Sequence, residues 1–301
     1  MEPIKHIEIK KGMKVSDLVK GFSEGAFTAE SIAKAANILE LMIKDKECKV
    51  FLGVAGAMVP GGMKKILIDM FNHVDVLVIT GANLTHDLIE ALGEKHYRTE
   101  GVIDDAELNK KGLDRMYNVL MKNEVYKKLE NFFEENWEEI SKTKTIKEFL
   151  WKLGELIKTK DSILRICYEK KIPIFCPAIA DSGIGLMVWG RKASGKKISI
   201  DAFDDMNEII DIAWTSKKNG VIYISGGVPK NFIQQSMQFS KGAFYGIQIT
   251  TDRAEPGGSS GAPLQEGISW GKLNKNAKFV DVYCDATIAL PLIYSALKER
   301  L

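Results

Sequence analysis

One lysine stands out for chemistry. Lys272 closes the run Ser269-Trp270-Gly271-Lys272, six residues after the acidic Glu266 and downstream of a Gly/Ser/Pro-rich loop at 256–263. A lysine amine attacks carbon only when neutral, and its ordinary pKa of about 10.4 leaves almost none of it neutral at pH 7. Burial beside an apolar ring such as Trp270 disfavours the ammonium form and would free the amine. Gly271 adds no side chain, so a planar substrate could come close, and Glu266 could bind a cationic amine. The same residues also read as a surface lysine before a strand with Trp270 as a core anchor, and spacing alone does not choose between the two.

A second set of residues could hold phosphates and riboses. Residues 53–62, Thr80-Gly81-Ala82-Asn83, Asp181-Ser182-Gly183, Gly226-Gly227 and Thr251-Asp252 each follow an apolar strand-like run. Small residues there let backbone approach a phosphate, and a following helix presents free N–H groups to an anion. Singly each is an ordinary tight turn; five at strand ends point to a dinucleotide site. No G-x-G-x-x-G is present, which argues against an ordinary Rossmann dehydrogenase. The run 190–197 (GRKASGKK) imitates a P-loop but has Lys197 where Ser or Thr should hold magnesium, so it reads as a solvated basic turn. Asp181 could accept hydrogen bonds from a ribose or amide, or make an Asx-turn. The four histidines are scattered without metal spacing, and His86-Asp87 reads as a helix-start polar pair. The four cysteines form no C-x-x-C.

These loops need elements to carry them. Helical periodicity is expected at 15–22, from a cap at Thr28 to about Lys46, and at 63–72, 84–92, 202–216, 231–241 and 287–301. Strands are expected at 49–52, 74–79, 172–176, 221–225, 245–250 and 279–284, with a short one at 198–200. Residues 94–111 read as an extended connection, 113–171 as a helical insertion, and 177–189 as a loop. Strand, small-residue loop and helix repeat along the chain, the pattern of a parallel α/β sheet whose ligands sit at the strands' C-terminal edge. The expected fold is one α/β domain over residues 1–301, doubly wound, with a mostly parallel sheet of about six strands.

Composition bounds the partners. The chain has 301 residues, 45% hydrophobic and 27% charged, with a formal net charge of +2. That balance gives no electrostatic footprint for nucleic acid or an anionic membrane. No apolar run reaches the roughly 18 residues of a spanning helix, and the N-terminus lacks a signal-peptide core. Unpaired cysteines fit a reducing cytoplasm, so the Asn83-Leu84-Thr85 sequon is discounted.

The runs GGSSGAPLQEGISWGKL and VYCDATIALPLI resemble the C-terminal signature of deoxyhypusine synthase. The Ser-Gly-Ala, the Glu, the Ser-Trp-Gly-Lys and the Tyr-x-Asp-Ala stand in order without gaps, and the resemblance extends from about Lys49 to the end, as in an archaeal-type member. It implies a Rossmann-like fold and an NAD-dependent reaction. Spermidine or a related polyamine would be dehydrogenated, and its 4-aminobutyl group would pass through an imine on Lys272. The acceptor would be a lysine of the precursor of the hypusine-containing translation initiation factor. Glu266 and Trp270 would line the polyamine site. Thr80, Asp181, Gly227, Thr251, Ser260, Asp285 and Ala286 would contact NAD, with Gly81, Gly226 and Asp252 in the same loops. The family is typically a homotetramer with sites at subunit interfaces. Leu186, Phe232 and Ser259 replace an aspartate, a histidine and an acidic residue, and Ala57 and Pro60 replace Asn and Ser. The lost carboxylates leave open a homospermidine synthase-like transfer to a small amine, and an NAD-binding protein without transferase activity is the third reading.

Overall fold

The computed structural model describes residues 3–101 and 104–301. The first half contains α1 (Val15–Phe22), α2 (Phe27–Lys44), β1 (Cys48–Val54), α3 (Lys64–Met70), β2 (Val76–Ile79), α4 (Gly81–Ala91), β3 (Tyr97–Arg98), α5 (Asp105–Lys110), β4 (Leu113–Met116), β5 (Val119–Lys122), α6 (Glu124–Glu135) and α7 (Trp137–Ile140). The second half contains α8 (Ile146–Leu156), α9 (Ile163–Lys170), β6 (Ile174–Phe175), α10 (Gly183–Ala193), α11 (Ala202–Thr215), β7 (Lys218–Ile224), α12 (Gly227–Gln238), β8 (Ala243–Thr250), α13 (Glu266–Ser269), β9 (Leu273–Tyr283) and α14 (Ala286–Lys298).

Near-continuous apolar runs in β1, β2 and β7 are buried along almost their whole length, as strands covered on both faces must be. The main sheet has the order β6-β2-β1-β7-β8-β9, and β1/β7, β7/β8 and β8/β9 run parallel. Numbered by main-sheet strand, that is 3-2-1-4-5-6, the doubly wound order of dinucleotide-binding folds. The order reverses between β1 and β7, and in folds of this order the ligand crevice lies at that point, here where Val54 and Ile224 end their strands. The six-stranded α/β sheet expected from sequence is the fold.

By its contacts the chain forms two compact units, each drawn from separated segments. The first comprises Met1–Gly56, Asn72–Val78 and Met206–Leu301. Its helix α2 lies on β8 and β9, and α14 packs on α2 and α1. Strand β9 is an edge of the sheet, and its register slips against β8 between Ala243 and Tyr245, where residues 274–277, three of them polar, bulge out.

The second unit comprises Ala57–Phe71 and Ile79–Asp205. It contains the antiparallel sheet β3-β5-β4 and a helical layer in which α8 packs on α9. A Cβ at Gly154 of α8 would fall 2.3 Å from the Leu164 carbonyl oxygen, so only glycine allows that approach. The buried Asp87 of α4 accepts from Ser162 Oγ at 2.7 Å, Ile163 N at 2.9 Å and Leu164 N at 3.0 Å, satisfying the first turn of α9. Burial nonetheless pushes its carboxyl up to about 6. Asp87→Ala would strand those three donors, and the loss of stability is expected to be about 3 kcal/mol in urea unfolding.

Several expected boundaries shift. Thr28 caps nothing; α2 begins at Phe27 after Ala26. Gly81, Ala82 and Asn83 form the first turn of α4, with only Thr80 left as a link. The 94–111 connection contains β3 and α5, although Val102 and Ile103 lie outside the described residues. The insertion opens with the β4–β5 hairpin, turning at Tyr117 with φ 52°. The loop expected at 177–189 is α10 from Gly183 on, because Ser182 Oγ caps it by accepting from Gly185 N at 3.0 Å. That helix also takes up the start of the basic run 190–197, and no strand forms at 198–200.

Candidate active site

The backbone explains how Lys272 is presented. The single turn α13 ends in a Schellman motif: Lys272 N donates to Gly267 O at 2.8 Å and Gly271 N to Ile268 O at 3.1 Å. Gly271 takes φ 69°, which is why glycine stands there. Lys272 O then accepts from Ala243 N at 3.1 Å, which fixes the lysine at the start of β9. Its Nζ lies 5.1 Å from the centroid of the Trp270 ring. The expected burial against Trp270 is not what this chain provides. The ring is 61% exposed, and its face meets the lysine as a cation–π partner. Trp270 is therefore no core anchor, and Glu266, at the first residue of α13, is exposed beside it.

A second lysine is the buried one. Lys230, in the first turns of α12, is 1% exposed, and its Nζ donates to Ser259 O at 2.7 Å and Ala262 O at 2.6 Å. Burial pulls it down to about 8, the positive charge of Lys272 adds to that, and the negative charges of Asp281 and Glu266 oppose it. The helix expected from sequence at 231–241 begins four residues earlier, at Gly227, and so includes Lys230.

The crevice between β1 and β7 is built from bare backbone. Ser225 takes φ 64° and Gly227 φ 59°. A Cβ at Gly226 would lie 2.4 Å from Ser260 Cα, and Gly227 N donates to Ser260 Oγ at 2.9 Å. Gly226, Gly227 and Ser260 are thus brought together at the N-terminus of α12. Thr251 and Asp252 are exposed at the end of β8. Asp285, exposed at the end of β9, caps α14 by accepting from Thr287 N at 2.7 Å, and the next residue, Ala286, is buried. Cys284 N donates to Thr250 O, so these two strand ends are neighbours.

The second unit assembles the other predicted residues. Thr80 Oγ1 accepts from Asn83 Nδ2 at 2.9 Å. A Cβ at Gly81 would meet Ser182 Cβ at 2.6 Å, so the start of α4 abuts the start of α10, directly after the exposed Asp181. Leu186, on α10, is 55% exposed.

Lys272 and Asp285, by contrast, stand at opposite ends of β9. The stretch of β8 paired between them, from Ala243 to Thr250, spans roughly 23 Å.

Comparison with known proteins decides the family. The deoxyhypusine synthase family model matches residues 17–297. The chain belongs to the deoxyhypusine synthase family. It is 43% identical over 295 residues to "Probable deoxyhypusine synthase 1" of Archaeoglobus fulgidus, covering 97% of both chains. It is 41% identical over 303 residues to "Probable deoxyhypusine synthase 1" of Methanosarcina acetivorans, covering 99% of this chain and 95% of that one. Among solved structures, "a putative deoxyhypusine synthase from Entamoeba histolytica" superposes with a TM-score of 0.66 at 20% identity, over 98% of this chain and 97% of that chain, a likeness of fold.

Family membership makes the chain a transferase of hypusine biosynthesis, with archaeal relatives. Among the described residues no group of His, Cys, Asp and Glu could hold a metal ion, and no helix is long and apolar enough to cross a membrane.

Proposed function

We propose that this chain moves the 4-aminobutyl group of spermidine onto a lysine of the precursor of the hypusine-containing translation initiation factor, with Lys272 as the covalent carrier and NAD as cofactor. The observation that carries the reading is the Schellman turn. It sets Lys272 beside Trp270 at the start of β9, with Glu266 opening the same turn, in a chain whose family performs this transfer. An amine carbon becomes electrophilic only after hydride leaves it; NAD, when bound, supplies the place for that hydride. Neutral Lys272 then adds to the C=N carbon, the original nitrogen leaves as a free amine, and the aminobutyl group stays joined to Nζ as an imine. The acceptor lysine displaces Lys272 in the same manner, which frees Nζ and leaves the aminobutyl group on the acceptor as an imine, and hydride from the bound cofactor in its reduced form would make this C–N bond a stable amine. Trp270 offers its face to the substrate ammonium, and Glu266 offers its carboxylate.

The residues present fit a dinucleotide. Gly226 and Gly227 leave backbone uncovered at the switch point, where the twelve-residue α12 begins. Thr251, Asp252, Asp285 and Ala286 line the adjacent strand ends, and Ser260 closes over Gly227. In the second unit, Thr80, Gly81 and Asp181 follow the same pattern at the starts of α4 and α10. Gly226→Ala would push its Cβ into Ser260, and NAD affinity measured by calorimetry is expected to fall about tenfold.

The same reading makes the working enzyme an assembly, a homotetramer in a cytoplasmic setting. A lysine side chain reaches about 6 Å, far short of the distance along β9. Lys272 of one copy would therefore act on a cofactor held by the strand ends of another.

The test is incubation with NAD, labelled spermidine and the precursor factor. Label in the factor supports the reading. With putrescine added as a second acceptor, label in homospermidine and none in the factor would point to a small-amine transferase of homospermidine synthase type, for which the exposed Leu186 would replace a lost carboxylate. No label and no borohydride-trapped adduct would leave an NAD-binding protein without transferase activity.

A further inference from the structure

Buried lysines are rare unless their charge or their hydrogen bonds have a use. Lys230 is 1% exposed, and the two backbone carbonyls it bonds both belong to the long loop between β8 and β9. The turn it holds, 259–262, is tied in three further ways. Ser260 O accepts from the buried Gln248 Nε2 at 2.9 Å, Ser260 Oγ accepts from Gly227 N, and Gly261 lies so close to Arg253 that a Cβ there would be 1.8 Å from its carbonyl oxygen. Just beyond, Leu264 N donates to the Asp281 carboxylate at 3.2 Å.

We propose that Lys230 is a positioning residue: its two N–H···O=C bonds fix the 259–262 turn and thereby hold Ser260 against Gly227 at the mouth of the β1/β7 crevice. The proposal rests on the reading of Gly227 and Ser260 as cofactor contacts. The Gly227 N to Ser260 Oγ bond and the close approach of Gly226 to Ser260 hold only the middle of the turn, whereas the Lys230 side chain reaches from α12 to both of its ends.

The charges facing Lys230 are Asp281 and Lys272 on and before β9 and Glu266 on α13. With the loop closed, Lys230 titrates at about 8, pulled down chiefly by burial. With the loop open it would be a hydrated lysine near its ordinary value. Closing the loop therefore releases a proton between those two values, so the closed loop gains as pH rises above about 8 and is insensitive below it. The neutral amine keeps two N–H donors, enough for the two carbonyls it serves.

Arg253 reports on the loop, because its carbonyl packs against Gly261 of the 259–262 turn, and trypsin cleavage after it is expected to quicken when that turn loosens. The full chain would be digested at about pH 7 and at about pH 9.5, and cleavage after Arg253 would be followed by mass spectrometry and normalised to a free peptide of the same sequence. In the unsubstituted chain, normalised cleavage is expected to slow several-fold at the higher pH. In Lys230→Met it is expected to be about tenfold faster and to lose that pH dependence. A folded Lys230→Met chain cut at the original rate with the original slope overturns the proposal. If that variant does not fold, Lys230→Leu takes its place, and a folded Lys230→Leu chain cut at the original rate overturns the proposal. NAD titration runs in parallel. Weaker binding by Lys230→Met supports the link to Ser260, and unchanged binding despite a loosened loop overturns it. A chain that binds no NAD at all sinks the functional reading instead, and the cleavage data still judge the role of Lys230 in the turn.

Discussion

Lys272→Arg is expected to lower aminobutyl transfer by at least about a thousandfold, the scale seen when a covalent nucleophile is removed. The substitution keeps a cation at the start of β9 and can keep a stacked contact with Trp270. It removes the one property the reaction needs, because guanidinium has no accessible neutral form with a free amine. Folding should be unaffected, since the Schellman turn is made by Gly267, Ile268, Gly271 and the backbone of residue 272. Two measurements are therefore paired. Label transfer to the precursor should vanish, and borohydride trapping with labelled spermidine should mark position 272 in the native chain and nothing in the variant. An adduct elsewhere, or transfer that survives the change, would remove Lys272 from the mechanism.

The second large effect concerns which copy supplies what. Lys272→Ala and Asp285→Ala should each be inactive alone, the first for want of a nucleophile and the second for want of a cofactor contact. If one copy's lysine serves another copy's strand ends, unfolding and refolding the two variants together should restore activity. Random pairing at equal amounts leaves about one quarter of sites with both native residues. Asp285→Ala also removes the cap of α14, at about 1 kcal/mol, so its thermal unfolding is measured alongside. A mixture as inactive as its parents would mean that lysine and strand ends meet within one chain.

Legibility from sequence followed burial. Strands β1, β2 and β7 were readable from near-continuous apolar runs covered on both faces, and β8 was readable despite the buried Gln248 because β-branched and aromatic residues flank it. Helix α10 was not, because GIGLMVWG is rich in glycine, the poorest helix former after proline. Its glycines are there for close packing: a Cβ at Gly183 would meet Thr85 Cγ2 at 2.6 Å. The β4–β5 hairpin was hidden by charged residues that fit a helix equally well. Strand β9 extends six residues further toward its N-terminus than its apolar core suggested, since the buried Leu273 is separated from that core by a mostly polar, bulged stretch at 274–278. Lys272 was singled out by its neighbours in sequence, yet its setting was not legible there. Sequence placed it in a pocket against Trp270, whereas the chain buries Lys230 and leaves Trp270 open. No local pattern marks a lysine that a distant loop covers, because the carbonyls at Ser259 and Ala262 come from residues about thirty positions away.

The parallel ladder between β1 and β7 has a consequence for synthesis. Cys48 pairs with Lys218, so 170 residues (218 − 48) must emerge from a ribosome before the central strand finds its partner. At ordinary translation rates that is a wait of roughly 10–30 s. Throughout it the nascent chain carries an apolar edge with no ladder to join, a template for misassembly with its neighbours.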